Sequence, residues 1–166
     1  MTRLIEDPVL RQRYRFTRAG DVLTVEVWVE PGGGVTPHVH PRLDEHFFVR
    51  EGAIEFLVGR TWTPMSEVHV PAGTRHAYRN AGATTAHFVT EATPPLELEQ
   101  FLTEVAALAR AGRFTHRGLP TSPRAIPELA AVAQRYRETV ELETPLRPFI
   151  PLFARFARPP AAVAAP

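Results

Sequence analysis

Residues 31–52, PGGGVTPHVHPRLDEHFFVREG, decide the reading of this chain. Side chains alternate faces along a strand, so His38 and His40, two residues apart, project to one side and can converge on a single point. Pro41 donates no ladder hydrogen bond, and Pro41-Arg42-Leu43-Asp44 reads as a turn before a strand resumes over residues 45–49. On that strand Glu45, Phe47 and Val49 share the face that looks back toward the histidines. His46 and Phe48 point the other way, which sets His46 aside as a ligand. The glycine run 32–34 reads as a strand-to-strand loop, since no helix carrying a phosphate-binding Lys follows it.

A second stretch has the same grammar. Residues 68–80, VHVPAGTRHAYRN, give a strand, a Pro and Gly turn, and another strand on which His76, Tyr78 and Asn80 share a face. Imidazole and carboxylate are donors that first-row divalent metals accept, so His38, His40, Glu45 and His76 form a candidate ligand set. The remaining histidines, His46, His69, His87 and His116, lack a partner at ligand spacing and read as packed or surface side chains. Gly73 and Asn80 read as serving turn and strand.

Taken together, Gly32-x5-His38-x-His40-x4-Glu45-x6-Gly52 and Pro71-x-Gly73-x2-His76-x3-Asn80 resemble the two motifs of the cupin family. The resemblance covers about residues 20–92. One departure is Met65, which stands where the second motif usually has Gly, so the Met65 to Glu67 turn differs from the family pattern. The resemblance implies a mostly β protein, a double-stranded β-helix or jelly-roll barrel, with one divalent transition metal held by His38, His40, Glu45 and His76. The motifs are most similar to germin-like and quercetin-dioxygenase-like cupins. Donor type alone admits Fe, Mn, Ni, Co, Zn or Cu.

The rest of the chain fits one β-domain with a helical addition. Strands are expected over residues 13–18, 22–30, 53–58, 61–64 and 85–91, with a single barrel and no internal repeat. Leu23, Val25, Val27 and Val29 form an aliphatic face that is expected to pack against the other sheet. In the strand at 85–91, His87 and Val89 share one face and Phe88 and Thr90 the other; an inward His87 would add a polar group to the cavity. After Pro94-Pro95 the period changes. Leu98, Phe101, Leu102, Val105, Leu108 and Ala109 make a helical stripe ending at Gly112, and a second helix is expected over residues 127–139. The domain boundaries read as 1–93 for the barrel, 94–157 for a C-terminal α-helical extension and 158–166 for a disordered Ala and Pro tail. The apolar segment 145–156 is expected to pack on the barrel exterior or in a homodimer interface.

Composition excludes several functions. Nineteen basic against 18 acidic residues give a net charge of +1, which makes no electrostatic case for nucleic acid or an anionic membrane. No helix pair has a basic recognition face. All the basic residues are Arg, a bias expected of a GC-rich bacterial genome, and with no cysteine any metal must be held by nitrogen and oxygen. No run suits a signal peptide or a membrane span, so a cytoplasmic setting is expected.

The function expected from these residues is that of a metal-binding cupin enzyme acting on a small organic molecule. Dioxygenase-type oxidoreductase chemistry stands ahead of isomerase or lyase chemistry, and a non-enzymatic metal- and ligand-binding protein is the alternative. Glu45 is the candidate catalytic residue as well as a ligand. Phe47, Val49, Tyr78 and His87 are the candidate substrate contacts, Phe56 a further one, and Arg75 or Arg79 would pair with a substrate carboxylate if not simply solvated.

Overall fold

The computed structural model describes residues 4–143 and 147–157. The expected tail at 158–166, and residues 145–146 of the apolar C-terminal segment, lie outside the described residues. Alternation governs the barrel. In Val22–Val29 every second side chain, Leu23, Val25, Val27 and Val29, is buried, while its neighbours are half-exposed.

Two antiparallel sheets face each other. The larger runs β1 (Ile5–Asp7), β2 (Gln12–Ala19), β3 (Val22–Val29), β10 (Ala86–Thr93), β5 (Asp44–Glu51) and β8 (Glu67–Val70) in spatial order. The smaller runs β11 (Glu141–Leu142), β4 (His38–Val39), β9 (Arg75–Arg79), β6 (Glu55–Val58) and β7 (Thr61–Pro64). The fold is therefore a jelly roll of mixed strand order, in which β10 crosses back between β3 and β5. One end of the interior is filled by rings: Phe47 lies 5.2 Å from Phe56 and 5.7 Å from Phe88, and Tyr78 lies 4.8 Å from Phe88.

The glycine run is there because backbones cross closely. A Cβ on Gly33 would sit 2.7 Å from the Arg11 carbonyl and 2.9 Å from that of Leu10, and one on Gly34 would run into the Tyr78 carbonyl. Backbone hydrogen bonds join this crossing, from Asn80 to Gly33 and from Val35 to Tyr78. Asn80 finishes it, donating to the Val29 and Thr84 carbonyls at 2.8 Å each. At the Met65 departure the turn is held by other means: Val49 donates to the Ser66 carbonyl at 2.7 Å, and Met65 packs against the core.

The extension folds back over the barrel. Helix α1 (Leu98–Arg110) ends where expected, and Arg110 donates to the Glu6 carbonyl at 2.6 Å. Helix α2 (Ala125–Arg135) begins before the expected start, because Pro127 is tolerated in a first turn where its missing N–H is not needed. It also stops before 139: Thr139 and Val140 both donate to the Tyr136 carbonyl at 2.8 Å, turning the chain into β11. Glu104 of α1 takes both Arg135, at 2.6 Å, and the Tyr136 hydroxyl, at 2.9 Å, which ties the helices together. A short 3-10 turn (Arg147–Phe149) and α3 (Ile150–Ala154) follow. Here the packing expectation is corrected in part, because α3 lies against α2 while Phe149, Leu152 and Phe156 stay exposed. No helix among the described residues is long and apolar enough to cross a membrane.

Candidate metal centre

Three short segments bring four donors to one point. Strand β4 pairs with β9 so that His38 stands directly opposite His76, and His40 follows as β4 ends. Across the barrel, β5 presents Glu45 from the opposing sheet. One donor atom from each of the four lies within 4.8 Å of all the others. His40, Glu45 and His76 are 4%, 6% and 1% exposed, so the carboxylate is out of water and must be compensated by its neighbours.

Each imidazole is held from behind. The Nδ1 atoms of His38, His40 and His76 lie 2.9, 2.6 and 2.9 Å from the carbonyl oxygens of Thr36, Thr139 and Thr74. A carbonyl can only accept, so Nδ1 carries the proton in all three rings and a neutral ring directs its Nε2 lone pair into the cluster. There the Nε2 atoms of His40 and His76 meet Glu45 Oε2, itself an acceptor, at 3.1 and 2.9 Å. Such contacts need positive charge among them: a proton on Nε2, which then donates to Glu45, or a metal ion that takes that proton's place. Fixed tautomer, backbone support and nitrogen-oxygen donors are what a divalent ion asks of its ligands, so the residues present fit such an ion.

The electrostatics follow from the same crowding. Burial, then the neighbouring His76 and His40, push His38 down to about 3, which keeps it neutral at any ordinary pH. Burial alone would raise the Glu45 carboxyl, but the charge and hydrogen bond of His40, followed by those of His76, hold it well below the usual carboxylate range. For His40 burial acts downward, and Glu45 together with the Thr139 carbonyl outweighs it, so its basicity rises.

The cluster opens onto a cavity of about 170 Å³ that lies between the barrel and the extension and is partly open to solvent. His38, His40 and Glu45 form its polar end. Val25, Val27 and Phe88 wall it from the large sheet, and Leu98, Phe101 and Val132 from the helices. Of the expected substrate contacts, Phe47 and Tyr78 line it. Tyr78 does so with its ring, because its hydroxyl donates to Gln12 Oε1 at 2.7 Å, and burial, then the charges of Glu45 and Asp7, push its phenol far up.

Val49 and His87 do not line the cavity. Val49 faces inward, opposite Phe88, yet packs against the core away from the cavity wall. His87 stands on the outer face of β10, stacked on Trp28 with ring centroids 4.7 Å apart and planes 2° from parallel. The in-register pairing of His87 with Trp28 fixes that side, and single-strand parity alone does not. Phe56 is buried among the core rings. Arg75 is paired with Glu143 at 2.5 Å and Arg79 with Glu55 at 2.7 Å, with Arg79 also over the Trp62 ring at 4.4 Å; neither reaches the cavity. The carbonyl of Thr139 was beyond sequence reasoning, since a backbone acceptor 99 residues from its partner leaves no residue signature. The Thr two residues before His38 and before His76 is a faint local signal for the other two.

Residues 18–90 match the family described as Cupin domain. Among solved structures, an RmlC-like cupin from Shewanella frigidimarina is 16% identical, covers 60% of this chain and 89% of its own length, and superposes with a TM-score of 0.53. KdgF from Halomonas sp. is 21% identical over 54% of this chain and 86% of its own, with a TM-score of 0.50. Likeness at these identities is likeness of fold, and the fold is the cupin double-stranded β-helix. No curated protein matches the sequence.

Proposed function

We propose that this chain, with its cupin domain at residues 18–90, is a metal-dependent enzyme acting on a small, largely apolar organic molecule. Dioxygenase-type oxidoreductase chemistry is favoured over isomerase or lyase chemistry. The observation that carries the reading is the join between the four-donor cluster and an apolar cavity: a reactive end and a place to hold a substrate against it. His38, His40, Glu45 and His76 would hold the ion. When bound, a divalent transition metal supplies Lewis acidity and, for a redox-active ion, reactivity toward dioxygen.

The chain's own residues do the rest. The three threonine carbonyls keep the rings oriented, Phe47 and Tyr78 shape the wall beside the cluster, and the helices supply an apolar wall facing it. Glu45 is assigned to holding the ion and not to general-base work. Its Oε2 already faces two imidazoles, and a carboxyl kept so acidic is a weak proton acceptor. Self-association through the exposed Phe149, Leu152 and Phe156, in a bacterial cytoplasm, belongs to the same reading.

The test is oxygen uptake and product analysis with the purified protein, its metal content measured, over a panel of phenols and diketones. Turnover of one of them that is lost on chelation supports the reading. Inertness with every metal across the panel favours a metal- and ligand-binding protein without catalysis.

A further inference from the structure

The cavity is long as well as apolar. Its floor is the inner face of the large sheet, and four strands in succession give it residues: Glu45 and Phe47 on β5, Thr90 on β10, Val25 on β3 and Tyr14 on β2. From β5 to β2 is three strand spacings, about 14 Å.

Helix α1 forms the roof along the same line. It starts beside the donors, because Thr139 links the two: its carbonyl holds His40 at 2.6 Å, and its hydroxyl accepts the N–H of Glu97, the residue before α1, at 3.4 Å. It ends at β1, beyond β2 in the sheet, where Arg110 donates to the Glu6 carbonyl. Leu98, Leu102, Val105 and Leu108 line the cavity in between, and the helix rises about 15 Å from the first of them to the last. Sheet and helix give one length by separate routes.

The walls also carry open apolar surface. Leu102, Val105 and Leu108 pack against the core and are still only half-buried. Leu129 and Ala133 of α2, which line the cavity from another side, are half-buried too. Accessible apolar surface facing a cavity is what a bound apolar group covers.

We propose that the cavity binds a single unbranched aliphatic chain of about eight to ten carbons, lying along α1 with its oxygen-bearing head at the His38, His40, Glu45 and His76 cluster. The placement of the head rests on the proposed function; the chain rests on the cavity alone. An extended chain advances about 1.2 Å per bond, as an extended backbone does, so about 14–15 Å takes about twelve bonds, two or three of them in the head. After α1, Arg113 donates to the Leu108 carbonyl at 3.0 Å, so Phe114 and the exposed Gly118 stand at the far end of the cavity. Apart from the donors, no charged side chain among the described residues lines it, which disfavours a charged tail. A chain that outgrows the cavity passes into water beside Gly118 and gains nothing further.

Titration calorimetry of the full-length, chelated protein with straight 1-alkanols from 1-butanol to 1-dodecanol tests the chain without any metal. Affinity should rise about fourfold per added carbon, the worth of one buried methylene, and level off near 1-decanol. 1-Octanol should bind at least about tenfold tighter than 4-tert-butylcyclohexanol, a bulky alcohol of closely similar hydrophobicity. Val105→Trp puts an indole midway along the roof. It should leave 1-butanol as in wild type and weaken 1-octanol by about tenfold or more, the loss of two methylene contacts. If that variant does not fold, Leu108→Trp carries the test further out, with 1-octanol kept and 1-decanol weakened. For the head, octanohydroxamate should bind the Zn(II)-loaded protein at least about tenfold tighter than the chelated protein.

A flat series, equal or tighter binding of the cyclohexanol, no binding of any alkanol, or a folded variant whose series matches wild type each overturn the chain. Zinc-loaded protein that gives the hydroxamate no gain overturns the placement of the head. Protein that takes up no zinc while the alkanol series stands sinks the metal-centred reading and leaves the chain in place.

Discussion

Six of the seven histidines of this chain stand on strands or at a strand end, and these divide by the face on which they stand. His38, His40 and His76 point into the barrel, each with Nδ1 held by a backbone carbonyl and Nε2 turned toward Glu45 or its neighbours. His46 and His69 face each other across β5 and β8 on the outer surface of the large sheet, with ring centroids 5.6 Å apart, beside the exposed carboxylates of Glu67 at 2.8 Å and Asp44 at 3.6 Å. The contrast teaches that proximity of histidine and carboxylate is not itself a site. On the outside the pairs are solvated and no backbone carbonyl holds the rings, whereas inside three backbone carbonyls hold Nδ1 and leave Nε2 to face the cluster.

Removing charge from the inner set is the most damaging way to break that contrast. Glu45→Gln keeps the shape and deletes the only carboxylate in the cluster, and metal affinity should fall by at least about 100-fold in a competition titration, given that even supporting partners are worth 10–100-fold. Loosening the support without touching a ligand should cost less. In Thr139→Pro the donor to the Tyr136 carbonyl is lost and the turn that places the His40 partner shifts. Metal affinity should drop by about 10–100-fold with the far-ultraviolet circular dichroism of the barrel retained.

Acid titration of chelated protein separates the members of the inner set by sign. His38, held down near 3 against its ordinary 6.5, must take up a proton on unfolding, so stability falls as pH drops below about 6.5. Glu45, with its pKa depressed, stabilises above its ordinary value of 4.5 and loses that contribution as pH falls further. His40 acts oppositely: its raised pKa stabilises below 6.5, and the contribution fades as pH rises through the raised value. Melting temperature should therefore decline on acidification below about pH 6.5. The decline should be shallower in His38→Ala.

The smallest effects belong to the outer set. His87→Ala removes the stack on Trp28 and should cost about 0.5–1.5 kcal/mol in denaturant unfolding with metal content untouched. His46→Ala and His69→Ala should stay within about 0.5 kcal/mol of wild type.

Which histidine faces which way is partly written in the sequence. The spacing of His38, His40 and Glu45 sets a common face wherever the chain is extended, and the same parity sends His46 outward. Parity states side but not depth, which is why Val49 faces inward and still misses the cavity. Nor does it state which side is inside when a strand is polar on both faces: Ala86–Thr93 offers His87 to one face and Thr90 to the other, and only its neighbours β3 and β5 decide. The helical stripe at 98–109 is plain from its period, yet its place on a cavity wall is not, because an apolar face does not name what it covers. Strands as short as β1 and β11 carry no pattern at all. β11 matters out of proportion to its length, since it pairs with β4 beside His38 and brings the Thr139 carbonyl to His40.

The central claim is that the inner set holds a divalent metal and the outer set does not. Elemental analysis of protein grown in metal-rich medium tests it most directly, on wild type, His38→Ala, His76→Ala and the outer pair variant His46→Ala/His69→Ala. The account predicts close to one transition-metal ion per chain in wild type and in the outer variant, and background levels in both inner variants. Equal metal content in wild type and the inner variants, or loss of metal only in the outer variant, would contradict it.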